Sequence, residues 1–119
     1  LYTSGQVPMK DGKVAVAGLL GRDLDVAAGQ EAARICAINV LAVSKAAMGD
    51  LETIRQVVKV TVFVASAPDF SQQHLVANGA SDFIVAVLGE RGRHARSAIG
   101  MASLPLNSAV EVEAIFEIL

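Results

Sequence analysis

The spacing of apolar positions changes character along the chain, and each change predicts an element. From Val26 to Met48, Ala32, Ile35, Cys36, Asn39, Val40, Val43 and Ala47 recur at intervals of three and four, with strong helix formers between them. That period predicts one long helix. Asp25 stands where an N-cap belongs, and Gly49 where a left-handed residue closes a helix. Val57–Val64 is nearly continuous in β-branched residues, broken by Lys59 and Phe63, as in a central strand. The stretch Ala67-Pro-Asp-Phe is a breaker with Asp69 as the expected N-cap of a second helix. Leu75, Val76, Phe83, Ile84, Val87 and Leu88 carry that helix to its end near Gly89. Upstream, Leu1–Val7 and Val14–Val16 flank Pro8 and Asp11-Gly12 and predict a β-hairpin. Downstream, Arg96–Ala102 and Ala109–Leu119 predict two neighbouring strands. In the second, Val110, Val112, Ala114, Phe116 and Ile118 alternate with Glu111, Glu113, Ile115 and Glu117.

The resulting order, ββαβαββ, predicts an α+β fold with both helices on one face of a sheet, as a single domain over residues 1–119. The other sheet face carries Lys59, Thr61, Phe63 and the carboxylates of the last strand, a mixed surface suited to solvent or to another subunit.

Of the 119 residues, 53% are hydrophobic, and 10 Lys+Arg stand against 12 Asp+Glu, a formal charge of −2. This composition excludes a disordered tail or a low-complexity linker and suffices for one buried core. With well-mixed charge there is no footprint for duplex nucleic acid. Cys36 is the one cysteine, so no disulfide forms within the chain, and a reducing, cytoplasmic setting is expected. Charged residues such as Asp23, Asp25 and Arg34 interrupt the apolar stretches, so no membrane span of about 18 residues is expected. The chain opens at Leu1 inside strand-like sequence, which leads us to expect a further N-terminal segment.

Composition and spacing offer no nucleotide-binding, zinc-protease or nucleophile-elbow motif. His74 and His94 lie twenty residues apart, without ligand spacing to a second donor, so no metal site is expected. His94 is read as a loop residue and His74 as lying on the exposed side of the second helix. Cys36 falls on an apolar helical stripe, where a buried, inert thiol is the ordinary outcome. The segment Gly92-Arg-His-Ala-Arg-Ser-Ala is different, because Arg96 begins a strand directly after a glycine-bearing loop. A guanidinium there either grips a carboxylate with two parallel hydrogen bonds or forms a structural ion pair with Glu111 or Glu113. Arg91 and Arg93 add charge that suits either an anionic ligand or a solvated loop.

Tyr2-Thr-Ser-Gly-Gln-Val-Pro, Val58-Lys-Val-Thr-Val-Phe-Val followed by Pro68-Asp-Phe, and Ala95-Arg-Ser... Leu104-Pro... Val110-Glu-Val-Glu-Ala together resemble the YjgF/RidA family, also called endoribonuclease L-PSP. Asn78-Gly-Ala-Ser-Asp and Gly92-Arg-His-Ala-Arg-Ser-Ala are similar to one branch of it. The resemblance implies a chorismate-mutase-like domain that forms a homotrimeric barrel with small-molecule clefts between subunits. It further implies hydrolysis of reactive enamines or imines to 2-keto acids and ammonia, without metal or organic cofactor. Arg96 would then hold the substrate carboxylate and Glu111 would position or activate water. Ser4, Asn78, Ser97 and Ala98 fall on substrate-binding positions. Ala98 stands where many active members carry a cysteine, so any thiol chemistry is lost, while its backbone N–H remains. The aromatic residue that the family's N-terminal segment contributes lies outside this chain. Two other readings stay open: a carboxylate-binding trimer without catalysis, and the family's ribonuclease or translation-inhibitor activity, which the acidic charge disfavours.

Overall fold

In a computed structural model describing residues 1–119, the elements run β1 (Met9–Lys10), β2 (Lys13–Val14), α1 (Val26–Met48), β3 (Ile54–Ala65), α2 (Gln73–Leu88), β4 (Ala95–Met101) and β5 (Val110–Ile118). This is the expected α+β order. Both expected caps close α1: Asp25 accepts from the Ala28 N–H, and Gly49 takes a positive φ of 86°.

β3 is the centre of the main sheet, with β4 parallel on one side and β5 antiparallel on the other. The two last strands are therefore not neighbours, contrary to expectation. A strand followed by a helix returns parallel beside its own start, so α2 delivers β4 to one edge of β3. The backbone at the end of β3 then bonds to both later strands, Ser66 N–H to Met101 and Ala65 N–H to Ala109, and β5 runs back along the opposite edge.

The expected first hairpin shrinks to two residues per strand. Leu1–Gln6 pairs instead along the outer edge of β5, with Thr3 N–H donating to Ala114 at 3.0 Å and Gln6 and Val112 exchanging bonds at 2.8 and 2.9 Å. An open strand edge leaves backbone donors and acceptors without partners, and this segment satisfies them.

Strand alternation sorts the sheet into two faces. Val60, Val62, Val64, Val110, Val112 and Ala114 are buried in the core with α1 and α2. Thr61, Phe63, Glu111 and Glu113 are only part-buried and share the opposite face with Ser97 and Ile99 through the strand register. The second helix begins at Gln73 with Gln72 as its cap residue, not at Asp69. Phe70 N–H closes a turn onto the Ala67 carbonyl at 3.0 Å, which spends Asp69 in that turn.

Taken alone, α1 is long and apolar enough to cross a membrane, which the expectation of no such run missed. Alanines at exposed positions, Ala27, Ala42, Ala46 and Ala47, raise its hydropathy without serving the core. Its inner side is built from small residues: Gly29, Ala32, Ala33, Cys36 and Ala37 are buried, as are Ala77 and Ala80 of α2. At Gly79 the two backbones come so close that an added Cβ would overlap the Gln30 carbonyl. The Gln30 side-chain amide also donates to the Leu75 carbonyl at 2.9 Å.

Gly79→Ala must push α2 off α1, because the obstructing atoms are backbone. Overpacking of this kind costs about 1–3 kcal/mol, so the urea midpoint should fall at fixed protein concentration with the slope unchanged. An unaltered midpoint would show that the helices do not meet at this contact.

Candidate functional site

Arg96 lies at the start of β4, on the helix-covered side of the sheet, in register with Val60. Its Nη1 donates to Asn78 Oδ1 at 2.9 Å and to Ser81 Oγ at 3.2 Å, and its Nη2 donates to the His74 carbonyl at 3.3 Å. His74, Asn78 and Ser81 are spaced by four and three residues, so one face of α2 presents all three acceptors. A guanidinium has five N–H donors. These bonds use three, leaving Nε–H and one hydrogen on Nη2 for a carboxylate. The structural ion pair with Glu111 or Glu113 does not form, because those residues lie on the far side of β3 and on the opposite face.

Glu111 is part-buried on the uncovered face, beside the N-terminal segment. A Cβ placed on Gly5 would overlap its carboxylate. Ser4 is exposed in the same segment and lines a cavity of about 240 Å³ with Tyr2, Gln6 and Val43. The sequence-predicted site residues thus divide into two groups at opposite sheet edges. Arg96 and Asn78 meet at the β4 edge, while Glu111 and Ser4 sit at the β5 edge. Ser97 pairs with Thr61 on the uncovered face, and Ala98 pairs with Val62 and packs on the core.

Two residues of the Arg96 cluster escaped the sequence reading. His94 lies in the loop before β4, as expected, but is tied at both ring nitrogens: its Nδ1 is 2.6 Å from the Gly92 carbonyl, and its Nε2 is 2.9 Å from Ser81 Oγ. A carbonyl only accepts, so in the neutral ring Nδ1 carries the hydrogen, and Nε2 accepts from the Ser81 hydroxyl. Ser81 was legible in principle, lying three residues after Asn78 on the same helical face. Ser81, Val85, Arg93, His94 and Arg96 line a cavity of about 230 Å³.

The loop at Gly89–Gly92 is a 3₁₀ turn with Gly92 buried. Arg91 is not solvated there. It donates to the Leu51 and Ile54 carbonyls at 3.1 and 2.6 Å and pairs with Glu52 at 3.3 Å. Arg93 is exposed and pairs with Glu90 at 3.1 Å. No group of three His, Cys, Asp or Glu side chains gathers at metal-binding distance. Cys36 is buried, its Sγ 3.5 Å from the Val110 carbonyl. Burial first, and the nearby charge of Glu111 second, push its thiol pKa far above the ordinary range.

The sequence profile of the family described as "YjgF/chorismate_mutase-like, putative endoribonuclease" matches residues 1–118. Protein TCP17 of Trypanosoma cruzi is 51% identical over 119 residues, which are 99% of this chain and 74% of that protein. The crystal structure of Atu1372 from Agrobacterium tumefaciens, described as of unknown function, is 62% identical. It superposes with a TM-score of 0.98 over 99% of this chain and 76% of that one. TdcF of E. coli, crystallised with bound serine, is 26% identical with a TM-score of 0.66, over 99% of this chain and 79% of that one.

A thiol buried in this way, with its pKa raised, exposes almost no thiolate at pH 8. A disulfide reagent such as DTNB should leave Cys36 unmodified in the folded protein and titrate one thiol per chain in denaturant. Labelling of the native protein at the rate of a free thiol would contradict the burial.

Proposed function

The chain belongs to the YjgF/RidA family of chorismate-mutase-like proteins, and from that premise we propose that it hydrolyses reactive 2-enamino and 2-imino acids to 2-keto acids and ammonia. The observation that carries this reading is the Arg96 guanidinium. Three acceptors on α2 hold it in place, and two N–H donors remain for a carboxylate. The serine bound to TdcF is an amino acid with such a carboxylate, which supports small carboxylate ligands in this family.

The chemistry asks little of the protein. Once its nitrogen is protonated, the imine carbon is electrophilic. Water adds to that carbon and gives up a proton, and the carbinolamine collapses to C=O as ammonia leaves. The protein's part is to fix the carboxylate, exclude bulk water and accept the proton of the attacking water. Arg96 does the first. Glu111 is the candidate for the last, and Asn78 and Ser81 are positioning residues that orient Arg96.

Within one chain Arg96 and Glu111 occupy opposite edges and faces, so a site using both takes one from each of two copies. Contacts that join one edge to the other edge of the next copy close into a ring when the rotation allows, and the homotrimer is the ring proposed here. The second reading, ligand binding without turnover, is favoured by two features: a single chain presents the carboxylate anchor without a base beside it, and Ala98 supplies no thiol. A ribonuclease is the weaker fit, since a net charge of −2 and only 4% aromatic residues provide little for a basic groove with aromatic stacking platforms.

The test generates 2-imino acids with an amino-acid oxidase and traps unreacted imine with semicarbazide. Wild-type protein should speed imine loss, and Arg96→Ala should lower kcat/KM about 100-fold, as expected when charge-assisted bonds of about 1.5–3 kcal/mol are lost. Binding of 2-keto acids with no acceleration for any imine would leave the second reading standing.

Co-assembly of Arg96→Ala and Glu111→Gln chains tests the shared site. Equal mixing places an intact Arg96 beside an intact Glu111 of another copy in about a quarter of the interfaces of a closed ring. About a quarter of wild-type activity should therefore return from two inactive variants. A site built within one chain would return none.

A further inference from the structure

We propose that the cavity between α2 and the start of β4 is a second acid-binding subsite, so that the site prefers dicarboxylic 2-imino and 2-keto acids whose distal carboxylate is held by Arg93. The proposal rests on the reading of Arg96 as the anchor for the first carboxylate. The cavity measures about 230 Å³ and is lined by Ser81, Val85, Arg93, His94 and Arg96. That is below the roughly 300–1,000 Å³ of pockets for drug-sized ligands and on the scale of a small metabolite. Two guanidiniums line it and no carboxylate does.

The three arginines of this segment have different work left to do. Arg91 spends Nη1 on two backbone carbonyls and Nη2 on Glu52, so it belongs to the framework. Arg96 is held by α2 and keeps two donors. Arg93 uses only Nε, toward Glu90, and keeps the four N–H donors of its Nη1 and Nη2 groups. Its backbone is pinned from both sides: its N–H donates to the Glu90 carbonyl at 3.2 Å, and its carbonyl accepts from the Gln56 amide. The guanidinium therefore swings from a fixed base.

The neighbouring polar groups are already committed. The Ser81 hydroxyl points to His94, whose Nδ1 faces Gly92, so the pair forms a wall with no donor left over in the neutral ring. Val85 is the apolar lining residue and suits the methylenes between two carboxylates. The one competitor for the distal acid is Glu90. Its pair with Arg93 is largely exposed, with side chains 87% and 68% accessible, and exposed pairs of this kind hold weakly. A ligand carboxylate that Arg96 has already brought close gains from that proximity.

The experiment is isothermal titration of the full chain with 2-oxoglutarate and with 2-oxobutanoate, which differ in the distal carboxylate. Wild-type protein should bind 2-oxoglutarate about threefold to tenfold more tightly at low salt, with the margin narrowing as salt rises. Arg93→Gln should weaken 2-oxoglutarate until the two ligands are at parity. Glu90→Gln, which removes the competitor, should widen the margin. Both side chains are exposed, so neither change threatens folding. Equal affinities in the wild type, or a margin that survives Arg93→Gln, would overturn the proposal. Failure of both keto acids to bind would remove it together with Arg96 as anchor. Selective binding without imine turnover would remove only the deaminase.

Discussion

The contact between Gly79 and the Gln30 carbonyl is the constraint on which the site's geometry depends. It sets the separation of α1 and α2 at backbone distance, and the Gln30 amide bonded to Leu75 sets their relative height. Asn78 and Ser81 flank that glycine, so the acceptors that hold Arg96 are fixed by packing on the opposite side of their own helix. A guanidinium left free would lose several rotamers on binding a carboxylate. Here much of that ordering is already present, supplied by a helix whose position the core determines.

How far the sequence could be read follows from how local each determinant is. α1 was legible at both ends because Asp25 and Gly49 sit at the edges of its pattern and cap it with their own atoms. The valines of β3 and the alternation of β5 were legible because burial on one face writes itself into a period of two. The start of α2 was misread because a turn at Ala67–Phe70 and a helix cap ask for the same residue types. The pairing of Leu1–Gln6 with β5, across more than a hundred residues, leaves no local trace. The same holds for β3 lying between β4 and β5. That non-local order decided the question of an Arg96–Glu111 ion pair, which adjacency of the last strands would have permitted.

The charged loop is the sharpest case. Arg91, Arg93 and Arg96 fall within six residues of sequence, and nothing in their spacing separates them. The fold does. The 3₁₀ turn buries Gly92 against the end of α2, where a side chain would strike the Ile84 carbonyl. This turns Arg91 inward onto the carbonyls of Leu51 and Ile54, leaves Arg93 in solvent, and places Arg96 under the face of α2. Local charge density thus carries little information about function until the acceptors around each guanidinium are counted. Those acceptors come from three different parts of the chain, residues 51–54, α2 and Glu90.

The placement of Glu111 adds a physical division between holding a ligand and acting on it. Everything that orients Arg96 belongs to the same chain, so the proposed carboxylate anchor needs no partner to be in place. Glu111, packed against Gly5 at the other edge, would meet an Arg96 only in the assembly proposed above. The contact of the part-buried Glu111 with the N-terminal segment ties that segment to the same edge: its backbone seals the edge of β5, and the absence of a side chain at Gly5 gives the carboxylate its room. Under the proposed chemistry, a chain organised in this way would bind a carboxylate before it assembles and turn over only afterwards, which would link activity to the association equilibrium of its subunits.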